Sequence, residues 1–209
     1  MAADKAQSWT YAEQIIVEEG VMRLSRQHAA ELGIRTLSPA TGRFLSTLAS
    51  LGSAKTIAEV GTGTGLSGLY LLNAVPDAVL TSIDIDSEAQ TLARENFTAA
   101  GIRSGRVRLI NGRSADMLPR LASNGYDLVL LDGDPAEAAG DACEALRMLR
   151  SGGTLIVTHA LNADRVADPA RRDEATVALR NLGRQLIEAE DVVSSLIPLG
   201  DGLIVCVKR

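Results

Sequence analysis

Little in this 209-residue chain is aromatic or sulfur-bearing. Its two cysteines, Cys143 and Cys206, fall in different expected elements and read as buried free thiols rather than a disulfide framework. Aromatic residues make up 3%, so no aromatic clamp for a flat ligand is evident. A basic excess is missing too. The net charge is −5 and the pI about 5.1, which removes the electrostatic footprint of a nucleic-acid binder. No apolar run approaches the length of a membrane span, and the opening MAADKAQSWTYAEQ holds no apolar signal-peptide core. These absences leave a soluble cytoplasmic protein with neither nucleic acid nor membrane as partner. Its length suits one domain, and a hydrophobic content of 46% is that of an ordinary globular fold.

What is present centres on IAEVGTGTGLSG, residues 57–68. An apolar, strand-like run leads through Gly61, Gly63 and Gly65 into a helical pattern opening at Leu66. Glycines let the chain turn tightly and approach a ligand, and the helix that follows offers free N–H groups. The dinucleotide spacing G-x-G-x-x-G fails, because its third glycine would fall on Leu66. The run is acidic-x-G-x-G-x-G instead, and its distinctive member is Glu59. A carboxylate there suits a ligand with an ammonium group or a cationic centre.

Around this turn the chain reads as five strand–helix units and a terminal hairpin. Tyr11–Arg26 is expected as one amphipathic helix with Glu13, Glu18 and Glu19 on its polar face and Gly20 weakening its middle. His28 follows in a polar stretch and reads as solvated. Ser38 and Pro39 open a helix that buries Phe44, Leu45, Leu48 and Leu51. VLTSIDID (79–86) is a strand ending in Asp84 and Asp86, with Asp84 about where a doubly wound fold reaches ribose hydroxyls and Asp86 or Ser87 capping the next helix. A helix over Glu88–Ala100, a short strand over Arg106–Ile110 and a helix begun by Asp116 and Leu118 come next. Tyr126–Leu131 is a central strand ending in Asp132-Gly133-Asp134-Pro135, where open parallel sheets bind their ligands. Ala136–Leu149 is a helix closed by Gly152-Gly153, Thr154–Thr158 a strand ending at His159, and Asp164–Asp168 a loop. A long helix starts at Pro169 with Val177, Leu179, Leu182 and Leu186 inward. The final hairpin turns at Gly200-Asp201-Gly202.

Several stretches in this order carry a resemblance: LSPATGRFL, AEVGTGTGLS, TSIDID, NGRSADMLPRL, LVLLDGD, LRSGGTLIV, RVADPARRDEATVALRNL and LIPLGDGLIVCVKR. The chain resembles the class I S-adenosylmethionine-dependent methyltransferases. Within them it is similar to the cation-dependent O-methyltransferases that act on catechols and caffeoyl-CoA. The resemblance runs from about Leu37 to Lys208. It implies an α/β fold, a Rossmann-like doubly wound seven-stranded sheet, mostly parallel with an antiparallel last strand and helices on both faces. It also implies a methyltransferase domain over 37–209, preceded by a helical segment over 1–36 that packs on the core, and a homodimer. The implied cofactor is S-adenosylmethionine. Glu59, Gly61, Thr62, Gly63 and Ser67 would hold its methionine end, with Leu37 lining the site. Asp84 would bind the ribose, Ile85 would lie beside the adenosine, Ser114 by the adenine, and Asp134 would reach the ammonium group.

Such enzymes also hold a divalent ion, usually magnesium, through an Asp of a D-A-D-K stretch and an Asp-Asn pair after the next strand. Asp132 matches the first ligand and would contact cofactor and substrate as well. Thr158 and His159 stand where the Asp-Asn pair would be, and Pro135 replaces the presumed general-base lysine. One Asp, a Thr hydroxyl and an imidazole make a poor magnesium site. His159 is then the candidate base, with Asp132 orienting the imidazole or the hydroxyl of a small acceptor. At the level of residues three functions remain open: an O-methyltransferase acting on a small phenolic or catecholic acceptor, a protein of this fold that binds the cofactor without catalysis, and a nicotinamide oxidoreductase.

Overall fold

The computed structural model describes residues 5–18 and 20–209. Helices α1 (Lys5–Gln14), α2 (Gly20–Glu31) and α3 (Pro39–Leu51) precede an alternating series. It consists of β1 (Thr56–Val60), α4 (Leu66–Ala74), β2 (Val79–Asp84), α5 (Ser87–Ala99), β3 (Val107–Asn111), the short α6 (Ser114–Met117), β4 (Tyr126–Leu131), α7 (Ala138–Met148), β5 (Leu149–Val157) and α8 (Glu174–Glu188). The hairpin of β6 (Val192–Ile197) and β7 (Leu203–Lys208) closes the chain. The seven strands form one sheet in the order β3-β2-β1-β4-β5-β7-β6. The contacts among β1 to β5 are parallel, and β7 runs antiparallel to both its neighbours.

Alternation along each strand builds two cores. Ala58, Val60, Val129, Leu131, Leu155 and Val157 face α7 and α8, whose Ala142, Ala145, Leu179, Leu182 and Leu186 close over them. Ile57, Leu80, Leu128, Leu130 and Ile156 face the opposite layer, where Leu45, Leu69 and Phe97 pack. Both faces are covered, as a parallel sheet requires. The strand order reverses between β1 and β4, so their carboxyl ends open a crevice there. The register brings Val60 beside Leu131 and Leu131 beside Val157. The residues just beyond, Gly61, Asp132 and Thr158, are therefore neighbours at the crevice floor.

Local signals explain the caps. The Ser38 side chain accepts from Thr41 N with Pro39 at the first helical position, and Asp86 accepts from Glu88 N and Ala89 N at the start of α5. Elsewhere the structure corrects the expectations. The helix anticipated over Tyr11–Arg26 is two: α1 ends at Gln14, residues 16–18 are irregular, and α2 opens at Gly20, whose φ is +54. Glu19 and residues 1–4 lie outside the described residues. His28 is on α2 and half-buried, with Nδ1 enclosed and unpaired. Of the four large side chains assigned to the inner face of α3, Leu45 is buried, Phe44 and Leu48 are half-buried, and Leu51 at the helix end is exposed. Strand β2 stops at Asp84, and α6 begins at Ser114 rather than Asp116. Helix α7 ends at Met148 because β5 takes Gly152 and Gly153 into its own length. Pro169 stays in the preceding loop, where Arg165–Ala167 form a 3-10 turn, and Asp173 caps α8. Cys143 is exposed, and only Cys206 of the two free thiols is buried. No helix among the described residues is long and apolar enough to cross a membrane.

Candidate active site

The glycine turn lies on the crevice with its glycines in left-handed conformations. At Gly61, φ is +91 and an added Cβ would sit 2.3 Å from the carbonyl oxygen of Asp132, so only glycine permits this approach of β1 to β4. The N–H groups of its three glycines are already paired. Gly61 donates to Ile83 O, Gly65 to Thr62 O and Gly63 to the Asp84 carboxylate at 2.8 Å. A turn that cradles phosphate keeps such groups free for the ligand; this one presents carboxylates instead.

Glu59 is fully buried beneath the turn. Ser67 Oγ, in the first turn of α4, donates to its Oε1 at 2.5 Å, and Ser82 Oγ on β2 donates to Oε2 at 2.5 Å. Thr62 and Gln90 extend the network. Burial pushes the Glu59 carboxyl up to about 7; the two serine hydroxyls oppose this, and the charges of Asp132 and Asp84 add to it. Glu59 thus acts on the cleft through the hydroxyl of Ser67. Asp84 accepts from Gly63 N and from Asp86 N and keeps lone pairs for a ligand.

A cleft of about 150 Å³ is lined by Leu37, Gly61, Thr62, Gly63, Ser67, Asp84 and Asp132, all anticipated, together with Arg35, Thr36 and Asp86 among others. Besides Glu59 beneath it, three anticipated cofactor residues lie off its walls. Ile85 is 72% exposed. Ser114 is buried, donating to Glu137 Oε2 at 3.0 Å. Asp134 is exposed and accepts from Ala136 N. Helix α2 is tied to the glycine turn: Ser25 Oγ donates to Thr64 O and Thr64 Oγ1 returns a bond to Ser25 O.

Beside the cleft the ends of β4 and β5 bring together Asp132, Thr158 and His159. Thr158 Oγ1 donates to Asp132 Oδ1. His159 Nε2 lies 3.3 Å from the same oxygen, out of hydrogen-bond alignment, so that this buried nitrogen has no hydrogen-bond partner. Its Nδ1 lies 3.1 Å from Asp201 Oδ2. Burial raises the Asp132 carboxyl above its ordinary range, while His159 and the Thr158 hydroxyl pull it back. His159 holds φ +52, and Asn162, Ala163 and Asp164 repeat this left-handed backbone in the following loop; such strain persists only where the surroundings enforce it. A second cavity of about 220 Å³ adjoins this group, lined by Arg35, Ser38, Thr41, Thr158, His159 and Gly200–Gly202 among others.

The set does not fit a magnesium ion. The Thr158 hydroxyl is spent on Asp132, the imidazole is a soft match for a hard cation, and only one carboxylate remains. Among the described residues no cluster of three or more His, Cys, Asp or Glu side chains is placed to hold a metal. Two contributors escaped sequence reading. Asp201 looked like a hairpin-turn residue, and Arg35 stands two positions before Leu37 without a motif of its own. Proximity to Leu37 was the one available signal for Arg35; for Asp201 it was the acidic residue inside a glycine-flanked turn.

Fold and crevice define a doubly wound protein with an open cleft at the strand-order switch. Comparison with known proteins narrows this. The family described as O-methyltransferase matches residues 7–209. A Mycobacterium leprae (strain TN) protein provisionally named an O-methyltransferase is 44% identical over 210 residues, spanning 100% of this chain and 94% of its own. One from Mycobacterium ulcerans (strain Agy99), named in the same way, is 44% identical over 95% of this chain and 89% of its own. Among solved structures, a Corynebacterium glutamicum protein superposes with a TM-score of 0.88 at 34% identity, over 98% of this chain and 96% of that one. The O-methyltransferase TomG of tomaymycin synthesis from Streptomyces achromogenes, solved with S-adenosylmethionine, shares the fold with a TM-score of 0.87 at 23% identity over 99% of each chain. The chain belongs to the O-methyltransferase family and is an enzyme of that family.

Proposed function

We propose that this enzyme transfers a methyl group from S-adenosylmethionine to a hydroxyl of a small acceptor, without a metal ion, using His159 as the base. The observation that carries the reading is the cleft's chemistry. Asp84 and Asp132 present carboxylates where the glycine N–H groups are already paired. That suits a ligand with a ribose diol and a cationic centre, and it does not suit a pyrophosphate, which argues against a nicotinamide cofactor. When bound, S-adenosylmethionine supplies an electrophilic methyl group on a positively charged sulfur.

The residues of the chain then divide the work. Asp84 takes the ribose hydroxyls, and Glu59 fixes Ser67 at the methionine end, beside Leu37, Gly61, Thr62 and Gly63. Asp132 lines the cleft and lies 3.3 Å from His159, which lines the cavity; from there it orients the acceptor hydroxyl. His159 Nε2, enclosed and unpaired, takes the hydroxyl proton. Ile85, Ser114 and Asp134 keep an adenosine and ammonium role only if the segments that carry them close on the ligand. The acceptor cavity has a mostly apolar lining with the Ser38, Thr41 and Thr158 hydroxyls, His159 and Asp201 set into it, so monocyclic phenols and catechols are the first acceptors to test. The free thiols, one of them exposed, fit a reducing cytoplasm. Exposed Tyr11, Ile15 and Val17 support a homodimer formed through the N-terminal helical segment, ahead of a catalytic domain over 37–209.

Titration calorimetry with S-adenosylmethionine tests the donor, and a methyl-transfer screen over phenols and catechols tests the acceptor. Binding of S-adenosylmethionine with turnover of a phenol is expected. Heat from NAD and none from S-adenosylmethionine would remove the reading. Binding without turnover of any hydroxylated compound would leave a cofactor-binding protein without catalysis.

A further inference from the structure

The two ring nitrogens of His159 meet different carboxylates. Nδ1 lies 3.1 Å from Asp201 Oδ2, in the turn between β6 and β7. A carboxylate only accepts, so Nδ1 carries the hydrogen, and a neutral ring then has its lone pair on Nε2. That nitrogen is the enclosed, unpaired atom beside Asp132.

Asp201 is itself held from several sides. Its Oδ1 accepts from Ala163 N at 2.6 Å, and Oδ2 also receives Arg35 Nη1 at 3.2 Å. The backbone of its turn pairs with the His159 loop: Leu161 N donates to Asp201 O, and Ala160 N to Gly202 O. Space is as closely defined. A Cβ on Gly202 would lie 2.5 Å from Leu161 Cγ. This anchoring is what the left-handed backbone of His159 requires.

The geometry points to Asp201 as the positioning residue of His159, fixing the tautomer with Nε2 unprotonated and aiming that nitrogen at the junction of Asp132 and the acceptor cavity. The inference rests on the proposal that His159 is the base. In the step it serves, the acceptor O–H bond breaks and the proton passes to Nε2. The oxygen's electron pair forms the bond to the methyl carbon, and the carbon–sulfur bond leaves with its pair on sulfur. Nδ1 keeps its own proton against Asp201, and the charges facing the resulting imidazolium are Asp132, Asp201 and, behind Asp201, Arg35.

The chain has only two histidines, so long-range proton–nitrogen NMR of the full-length protein at pH 8.5 resolves the tautomer, with His159→Gln assigning the signal. We expect Nδ1 protonated and Nε2 bare in the wild type, and Nε2 protonated in Asp201→Ala. Asp201→Asn, whose amide oxygen still accepts, retains the wild-type pattern. With a phenol that is turned over, Asp201→Ala lowers kcat roughly 10- to 100-fold and leaves the KM for S-adenosylmethionine unchanged, and Asp201→Asn recovers part of the loss. A wild-type ring protonated on Nε2 overturns the inference, even if Asp201→Ala fails to fold. So does an Asp201→Ala enzyme with wild-type tautomer and kcat while His159→Gln is inactive; that outcome leaves His159 as base. Full turnover by His159→Gln removes the base reading itself.

Discussion

Ser67 Oγ and Glu59 Oε1 are joined by a 2.5 Å hydrogen bond across the floor of the cleft, from the first turn of α4 to the end of β1. Ser82 holds the other carboxylate oxygen equally closely. The acidic residue that marks the glycine turn therefore works from below, by fixing a hydroxyl that reaches the cleft.

The same burial makes the fold pH-dependent. Glu59 titrates near 7 in the folded chain, against 4.5 as its ordinary value, so between these pH values the folded state binds more protons than the unfolded one. Stability without ligand falls as pH rises through that window and levels off above it, a loss on the order of 3 kcal/mol from this group. Denaturant unfolding at pH 5 and pH 8 measures the difference. Glu59→Gln removes most of it. A residual slope of the same sign remains from Asp141, which burial pushes to about 6, and from Asp132. An undiminished pH dependence in Glu59→Gln would assign the effect elsewhere.

Asp84 carries the ribose contact in this account while also tying Gly63 N and Asp86 N. Charge-assisted hydrogen bonds contribute about 1.5–3 kcal/mol. Asp84→Ala is therefore expected to weaken S-adenosylmethionine binding roughly 10- to 100-fold in calorimetry. Unchanged affinity would place the ribose elsewhere.

How legible this was depended on how far each signal reaches along the chain. The caps at Ser38 and Asp86 and the glycine turn act within a few residues, and all are where the sequence puts them. The apolar strands announce the parallel core, and Gly200-Asp201-Gly202 announces the hairpin. The break between Gln14 and Gly20 was less visible, because the apolar helical pattern continues across it through Ile15 and Ile16. Asp201 meets His159 across 42 residues, through the pairing of β5 with β7, and no local pattern reports such a contact. Ile85 and Asp134 sit on loops and Ser114 opens the short α6, so their side-chain directions follow the turn or helix start rather than the strand alternation.

Gly61→Ala tests the close approach of β1 and β4. Its Cβ would collide with Asp132 O, a backbone atom that cannot rotate away, at a φ of +91 that alanine resists. Strain of this kind costs about 1–3 kcal/mol before the clash is counted. Chemical denaturation should show a loss above that range together with weaker cofactor binding. A variant as stable as the wild type would mean that the two strand ends part freely.

A histidine held between Asp132 and Asp201 is proposed to do the work for which the family resemblance implies a metal and a lysine. The most direct measurement is the initial rate of methyl transfer to a phenol with and without excess chelator, for the wild type and for His159→Gln. Wild-type rates are expected to be equal with and without chelator, with a loss of roughly 100-fold or more in His159→Gln and S-adenosylmethionine still bound. A rate abolished by chelator and restored by magnesium, or a His159→Gln enzyme at full speed, would contradict the proposal.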